Sequence, residues 1–121
     1  MILFLDDEPD ITDIYCTLMK RKYGFEVDAY NSPQAALDAV EKSPERYDVM
    51  IVDYQMPEMD GLSFSQKIRE NNKETKIMIC TGDPACVPAK EAYEANVFSI
   101  LKKPLRTDEM AEKIQAARGM Q

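Results

Sequence analysis

The sequence of 121 residues contains no histidine. This absence excludes Ser-His-Asp and Cys-His catalysis and argues against an ordinary zinc site, since histidine is a common zinc ligand. It also means that the chain can carry no phosphohistidine of its own. A histidine-bound phosphoryl group could therefore reach this chain only from another protein.

Several other features are lacking. No apolar run approaches the roughly 20 residues that a membrane-spanning helix requires, and we expect no signal peptide because the first residues lack its basic, apolar and small-residue segments. The net charge is −7 and no stripe of Lys or Arg stands out, which argues against direct binding to nucleic acid or to an anionic membrane. Cys16, Cys80 and Cys86 lack metal-ligand or redox spacing, which favours reduced thiols. These absences predict a cytoplasmic protein without membrane attachment.

Short apolar runs alternate with amphipathic segments along the whole chain, whose length suits one compact domain over residues 1–121. Such an alternation predicts an α/β fold, with a doubly wound parallel sheet covered on both faces. The predicted strands are residues 2–5, about 26–30, 48–52, 76–80 and 97–101. The predicted helices begin at Pro9, Pro33 and Gly61, and two more lie at about 85–95 and 106–118.

Polar side chains follow four of these strands. They are Asp6-Asp7 after the first strand, Asp53 after the third, Thr81 after the fourth and Lys103 after the fifth. Functional sites of such sheets lie beyond the carboxyl ends of the strands, near the point where the strand order reverses. Three carboxylates in one place repel each other, and a bound divalent cation relieves that repulsion. Carboxylates, a main-chain carbonyl and waters suit Mg²⁺.

Asp53 is the candidate nucleophile of this edge. A carboxylate oxygen can attack a phosphoryl group and form an aspartyl phosphate, a reaction that depends on charge neutralisation and in-line positioning. Thr81 offers a hydroxyl to one phosphoryl oxygen, and Lys103 offers an ammonium group to another. These groups are the ones that a phosphoryl transfer to Asp53 would use.

Several short motifs are spread over the chain: Asp6-Asp7, the stretch from Asp53 through Met56-Pro57 and Met59-Asp60-Gly61, Thr81-Gly82 and Lys103-Pro104. Together, in this order and spacing, they resemble the receiver domain of two-component response regulators. The resemblance implies a flavodoxin-like fold with five parallel strands in the order 2-1-3-4-5 and five helices. It also implies a signalling domain that catalyses only its own phosphorylation and dephosphorylation.

The resemblance assigns roles to individual residues. Asp53 becomes the phosphoacceptor, Asp7 a direct Mg²⁺ ligand, Asp6 a ligand acting through water, and the main-chain carbonyl of Gln55 a further ligand. Thr81 and Lys103 are expected to contact phosphoryl oxygens, and the Lys103–Pro104 bond is expected to be cis. The implied phosphodonor is a histidine kinase or a histidine phosphotransfer protein, and the implied output is a change in the surface of the fourth helix, fifth strand and fifth helix. The sequence does not identify the output domain or target protein.

Two positions depart from the family pattern. Residue 100, where the family often has Tyr or Phe as a switch residue, is Ile100, which puts the usual aromatic readout in doubt. Arg106 occupies a position where a capping Asp or Asn is expected, so Thr107 is the alternative cap of the last helix. Strand alternation further predicts that Lys102 shares a face with Ile100 and Phe98 and points to solvent, whereas Lys103 turns towards Asp53.

Two other functions could use the same residues. An aspartate-nucleophile phosphohydrolase places its nucleophile after the first strand with a second Asp two residues later, and here those positions hold Glu8 and Pro9. A receiver fold that acts as an interaction module without phosphorylation should lack one of Asp53, Thr81 or Lys103, and all three are present. Mg²⁺-dependent phosphorylation by a small phosphodonor separates this second alternative from a phosphoacceptor.

Overall fold

The structure, a computed structural model, describes residues 1–119. Within them, five parallel strands form one sheet in the order β2-β1-β3-β4-β5, and five α-helices cover it, which confirms the predicted flavodoxin-like fold. The strands are β1 (Ile2–Leu5), β2 (Val27–Tyr30), β3 (Val49–Asp53), β4 (Lys76–Thr81) and β5 (Val97–Lys102). The helices are α1 (Pro9–Tyr23), α2 (Pro33–Lys42), α3 (Gly61–Asn71), α4 (Ala89–Glu94) and α5 (Thr107–Gly119).

The core lies on both faces of the sheet. Helices α2, α3 and α4 pack on the face that carries Leu3, Leu5, Met50 and Val52. Helices α1 and α5 pack on the opposite face, where Met19, Met110 and Ile114 contact the strands. Because both faces are covered, the central strands β1 and β3 are buried along their whole length, as their continuous apolar sequences predicted.

Local sequence signals set the ends of three helices. Pro9 is the first residue of α1, where a missing N–H costs no hydrogen bond, and Gly24 ends that helix in the left-handed conformation, with φ of 70°. The Ser32 side chain caps α2 by accepting a hydrogen bond from the Ala35 amide. The Asp60 side chain caps α3 in the same way, at 2.7 Å from the Ser63 amide.

The fourth helix differs from the prediction of about residues 85–95. A 3-10 turn occupies Pro84–Cys86, and α4 begins only at Ala89. Pro88 is the reason for the interruption, because proline has no N–H to donate and disfavours a helical conformation in the residue before it. Val87 accordingly has an extended backbone, with φ of −82° and ψ of 121°.

The start of α5 also differs from the prediction. Thr107 is the first residue of the helix, so the expectation that it caps the helix is wrong. The helix is entered through Arg106, whose carbonyl accepts a hydrogen bond from the Met110 amide at 3.0 Å. The Arg106 guanidinium donates to the Asp108 carboxylate, which closes the first turn with an exposed ion pair.

Strand β5 does not alternate as regularly as predicted. Its pairing with β4 shifts by one residue between Ile77 and Met78, which pair with Val97 and Ser99. The extra residue is Phe98, and it packs on the α1–α5 face, whereas Ile100 packs on the opposite face. The prediction that Phe98 and Ile100 share a face is therefore wrong, because a bulge changes which side chains point to each side of a sheet. Among the described residues, no helix is long and apolar enough to cross a membrane.

Candidate functional site

Three carboxylates meet where the strand order reverses. Strands β1 and β3 are neighbours, with Leu5 paired to Val52, so Asp6 and Asp53 emerge side by side from adjacent buried strands. Carboxylate oxygens of Asp6, Asp7 and Asp53 all lie within 4.8 Å of one another. Asp6 is 1% and Asp53 5% exposed, so water screens their charges poorly. An arrangement of oxygen ligands this compact fits a hard divalent cation such as Mg²⁺.

Lys103 brings a positive charge into this cluster. Its Nζ lies 2.9 Å from Oδ1 of Asp53 and 3.3 Å from Oδ2 of Asp6. The neighbouring Lys102 is exposed to solvent, and the Lys103–Pro104 peptide bond is cis, so both of these predictions are confirmed. The Lys103 amide also donates to the Thr81 carbonyl at 2.8 Å, which fixes the end of β5 against the end of β4.

The electrostatics of the cluster are reflected in two pKa values. Burial raises the pKa of Asp53; the hydrogen bond and charge of Lys103 oppose that rise, and the charges of Asp6 and Asp7 add to it. For Lys103, burial acts to lower the pKa, but the hydrogen bond and charge of Asp53 together with the charge of Asp6 outweigh it and raise the pKa. Lys103 therefore stays protonated. Its single positive charge does not offset three carboxylates, so a further cation would stabilise the cluster.

The two acidic residues that follow β1 have different surroundings. Both carboxylate oxygens of Asp6 are engaged, because Oδ1 accepts from the Glu8 amide at 3.0 Å and Oδ2 accepts from Lys103. Asp7 is only partly buried and lines an open pocket of about 490 Å³, which Gln55 also lines. Asp7 and Gln55 thus line the same pocket, whereas both carboxylate oxygens of Asp6 are occupied by hydrogen bonds within the protein.

Thr81 and Ile100 occupy different parts of the sheet. Thr81 is buried at the end of β4, and its Oγ1 accepts from the Asp83 amide at 3.1 Å and lies 3.4 Å from the Asp83 carbonyl. The hydroxyl is thus held by the loop that follows β4. Ile100 lies within β5, paired with Ile79 and half-buried in the core. It packs against the core cluster that includes Ala92 of α4.

Gly61 allows the loop after Asp53 to fold back on the site. Its amide donates to the Tyr54 carbonyl at 2.8 Å. A Cβ at this position would lie 2.6 Å from the Asp53 carbonyl oxygen and 3.1 Å from the Tyr54 Cα. Both neighbours are main-chain atoms that cannot rotate away. In the Asp60-Gly61 pair, Asp60 thus caps α3, and Gly61 lets the start of α3 lie close to the main chain of Asp53 and Tyr54.

Two side chains that support the site were not predicted from the sequence. Asn31 donates from Nδ2 to the Asp6 carbonyl at 2.9 Å and to Thr12 Oγ1 at 3.0 Å. Asn31 follows β2 directly, so the same rule that selected polar residues at the other strand ends could have found it. Tyr15 donates from its hydroxyl to the Leu105 carbonyl at 2.6 Å. Tyr15 lies within α1 and not at a strand end, so the rule that selects polar residues after strands does not reach it.

Comparisons with known proteins agree with this geometry. The family described as "Response regulator receiver domain" matches residues 2–115. The regulatory protein AtoC of Escherichia coli K12 is 29% identical over 120 residues, which cover 99% of this chain and 25% of AtoC. The response regulator protein TodT of Pseudomonas putida is 28% identical over 117 residues, which cover 97% of this chain and 50% of TodT. The chain thus spans a quarter to a half of the length of these curated relatives.

Solved structures show the same fold. A response regulator receiver domain protein from Clostridium thermocellum superposes with a TM-score of 0.87 at 27% identity, covering 96% of this chain and 91% of that chain. The response regulator TrrA from Thermotoga maritima, solved in complex with Mg²⁺-BeF, superposes with a TM-score of 0.83 at 27% identity and 96% coverage of both chains. With the family match extending over nearly all of its sequence, this chain belongs to the receiver domains of two-component response regulators.

Proposed function

We propose that Asp53 accepts a phosphoryl group in a Mg²⁺-dependent reaction from a phosphohistidine of a partner protein. The observation that carries this proposal is the cluster of Asp53, Asp6 and Lys103, in which a buried carboxylate lies 2.9 Å from an ammonium group. A buried carboxylate whose charge is not fully neutralised by its neighbours is uncommon where the carboxylate has only a structural role. A carboxylate that accepts a phosphoryl group needs a metal ion and a lysine beside it. This requirement explains why the fold keeps the Asp53 carboxylate in a buried position that is unfavourable for its charge.

Asp7, Asp53 and the Gln55 carbonyl are the proposed direct ligands of Mg²⁺. Asp7 and Gln55 line the same open pocket, and the carboxylate oxygens of Asp7 and Asp53 belong to the compact cluster. Asp6 is proposed to act through water, because Glu8 and Lys103 already engage both of its oxygens. When bound, Mg²⁺ supplies positive charge to the oxygens of the transferring phosphoryl group.

The transfer forms a bond between an Asp53 carboxylate oxygen and phosphorus, while the phosphorus–nitrogen bond of the donor breaks. The electron pair of that bond remains with the imidazole nitrogen of the donor. Lys103 neutralises charge on the phosphoryl oxygens, as its position between Asp53 and Asp6 allows. Thr81 donates its hydroxyl to a second phosphoryl oxygen, which requires the hydroxyl to turn away from the main chain of Asp83.

The proposed reaction requires a phosphoryl donor and a partner that responds to the phosphorylated domain. We propose that a histidine kinase or histidine phosphotransfer protein is the donor, because the chain has no histidine of its own. The proposed output is a change in the surface formed by α4, β5 and α5, which an output domain or a target protein would read. We further propose that residues 1–121 form this domain as a unit, that it acts in the cytoplasm, and that it neither binds nucleic acid directly nor attaches to a membrane.

The experiment that tests the proposal measures phosphoryl uptake from acetyl phosphate and Mg²⁺ by intact mass spectrometry. The wild-type chain should gain the mass of one phosphoryl group, and Asp53→Asn should gain none. Asp108→Asn is the matched control, because Asp108 is an exposed carboxylate in α5, and it should behave as the wild type does. Uptake by Asp53→Asn at the wild-type rate would disprove the site assignment. No uptake by the wild type would favour the interaction module that signals without phosphorylation.

A further inference from the structure

A single hydrogen bond joins helix α1 to the loop that follows Lys103. The Tyr15 hydroxyl, in the middle of α1, donates to the Leu105 carbonyl at 2.6 Å. Leu105 comes two residues after Lys103, in the connection between β5 and α5. The contact therefore acts on the segment that carries the lysine of the candidate site, from a part of the chain that contributes no ligand or nucleophile.

The donor of this bond is held by the core. The Tyr15 ring packs edge-on against Phe4, with ring centroids 6.0 Å apart and an angle of 77° between the planes. Phe4 lies in the central strand β1 and is 2% exposed. The hydroxyl thus extends from a fixed ring towards the loop, and the carbonyl of Leu105 is the partner it reaches.

The Lys103 main chain is held by Thr81, but its side chain is only partly enclosed. The Lys103 side chain is 31% exposed, and beside it lies a groove of about 420 Å³ lined by Glu8, Ile11, Tyr15, Lys103, Pro104 and Leu105. A lysine side chain loses considerable rotamer freedom when it is held in one position. Packing alone therefore leaves the lysine room to move away from the carboxylates.

We propose that Tyr15 is a positioning residue for Lys103, and that its hydrogen bond to Leu105 keeps the Lys103 ammonium between Asp53 and Asp6. This inference rests on the proposed function, since it assigns Tyr15 a role in phosphoryl transfer. A change in the loop by a fraction of an ångström alters both ammonium contacts, because Lys103 must satisfy the two carboxylates at 2.9 and 3.3 Å at once. Small displacements of a catalytic group are known to have large effects on rate.

The test is the substitution Tyr15→Phe, which keeps the ring against Phe4 and removes only the hydroxyl. The rate of phosphorylation by acetyl phosphate at saturating Mg²⁺ should fall about fivefold, the effect of one hydrogen bond of ordinary strength. The Mg²⁺ concentration that gives half the maximal rate should not rise, because the proposed metal ligands Asp7, Asp53 and Gln55 lie outside this loop and a displaced ammonium leaves their surroundings no less negative. A purely structural role would not separate the two quantities in this way.

Two further variants sharpen the result. Tyr23→Phe removes the same atom from the last residue of α1, where the ring stacks on Phe25, and should leave the rate unchanged. In a Lys103→Ala background, Tyr15→Phe should cause no additional loss, since the group that it positions is gone. Should that background be too slow to measure, amide chemical shifts of Tyr15→Phe provide the second readout, with changes expected at Lys103 and Leu105 and none at Asp7.

The possible outcomes distinguish this inference from the proposed function. If the wild type takes up no phosphoryl group, or Asp53→Asn takes it up normally, the proposed function fails. If the wild type is phosphorylated on Asp53 and Tyr15→Phe reacts at the wild-type rate, only the role of Tyr15 is overturned. An equal loss in the wild-type and Lys103→Ala backgrounds, or a matching rise in the Mg²⁺ requirement, would also overturn it.

Discussion

The Lys103 ammonium lies 2.9 Å from the Asp53 carboxylate and, at 3.3 Å, also contacts Asp6. One cation thus bridges two carboxylates that emerge from neighbouring buried strands. The charges do not balance, because Asp7 adds a third carboxylate to the cluster. The cluster therefore retains an excess of negative charge that a divalent cation would offset.

The two adjacent lysines should differ in their effects. Lys103→Ala should slow phosphorylation of Asp53 by about a hundredfold or abolish its conformational response, because it removes the donor that neutralises phosphoryl oxygens. Lys102→Ala is the matched control and should leave both nearly intact, since Lys102 is exposed to solvent. Phosphorylation time courses with acetyl phosphate measure the difference. Equal rates for the two variants would contradict the assignment of Lys103.

Millimolar Mg²⁺ should stabilise the protein against heat. A ligand that binds only the folded state at ten times its Kd adds about 1.4 kcal/mol, which raises the Tm of a domain of this size by about 5 °C. Asp7→Asn should raise the Tm without Mg²⁺, because it relieves repulsion within the cluster, and should remove most of the Mg²⁺ effect. Calorimetry with and without EDTA measures both quantities. An unchanged response to Mg²⁺ in Asp7→Asn would show that Asp7 is not a principal ligand.

The pH dependence of stability should show that ionisation of Asp53 destabilises the folded state. Its pKa in the folded state is raised above the ordinary value of 3.8, mainly by burial, so the folded state holds the proton more tightly than the unfolded state does. The stability of the wild type relative to Asp53→Asn should therefore be highest below pH 3.8 and should fall as pH rises through the raised pKa. Urea unfolding in EDTA over this range measures the trend.

Asp108→Asn provides a control of opposite sign for that experiment. The hydrogen bond from Arg106 lowers the pKa of Asp108 below 3.8 in the folded state. The wild type should thus gain stability over this variant as pH rises through the lowered pKa and should lose that advantage in acid. A parallel trend in the two variants would mean that the general charge of the protein, rather than the site, determines the result.

Gly61→Ala should damage the site through the main chain. Its Cβ would lie 2.6 Å from the Asp53 carbonyl oxygen, so the backbone of Asp53 or α3 must shift. We expect a loss of about 1–3 kcal/mol in the free energy of unfolding, together with slower phosphorylation. Gly119→Ala, where an added Cβ meets no atom within 4 Å, should change stability by no more than about 0.5 kcal/mol. Wild-type stability in Gly61→Ala would show that the loop adapts without strain.

The response to phosphorylation should involve Thr81 more than Ile100. Ile100 lacks the hydroxyl and ring of the usual switch residue and is already packed into the core, so its rearrangement should be small. Thr81 instead has a hydroxyl that must leave the Asp83 main chain to reach a phosphoryl oxygen. Structures with and without beryllofluoride test this expectation. A large swing of Ile100 between exposed and buried positions would contradict it.

Much of the fold could be predicted because its signals are local. The continuous apolar runs of β1, β3 and β4 have no other plausible position than the middle of a covered sheet. Helices α1 and α2 begin at Pro9 and Pro33 as predicted, since the signals that start a helix are neighbours in sequence. The predicted start of the fourth helix is wrong because Pro88 interrupts a segment whose apolar pattern is weak. The bulge at Phe98 could not be predicted, since it depends on pairing with β4 and no local signal indicates it.

The chemical groups that stand at the ends of the strands could be identified from the order of residues alone, because the residue that follows each apolar run is a local property of the chain. Asp6, Asp7, Asp53 and Lys103 could thus be selected before any distance was known. The accessibility of these groups depends instead on the folded chain: Asp6 has both oxygens engaged while Asp7 faces an open pocket, and Tyr15 and Asn31 support the site. Apart from the bond from the Glu8 amide to Asp6, these contacts join residues far apart in the chain, because they form only when the strands pair and the helices pack on the sheet.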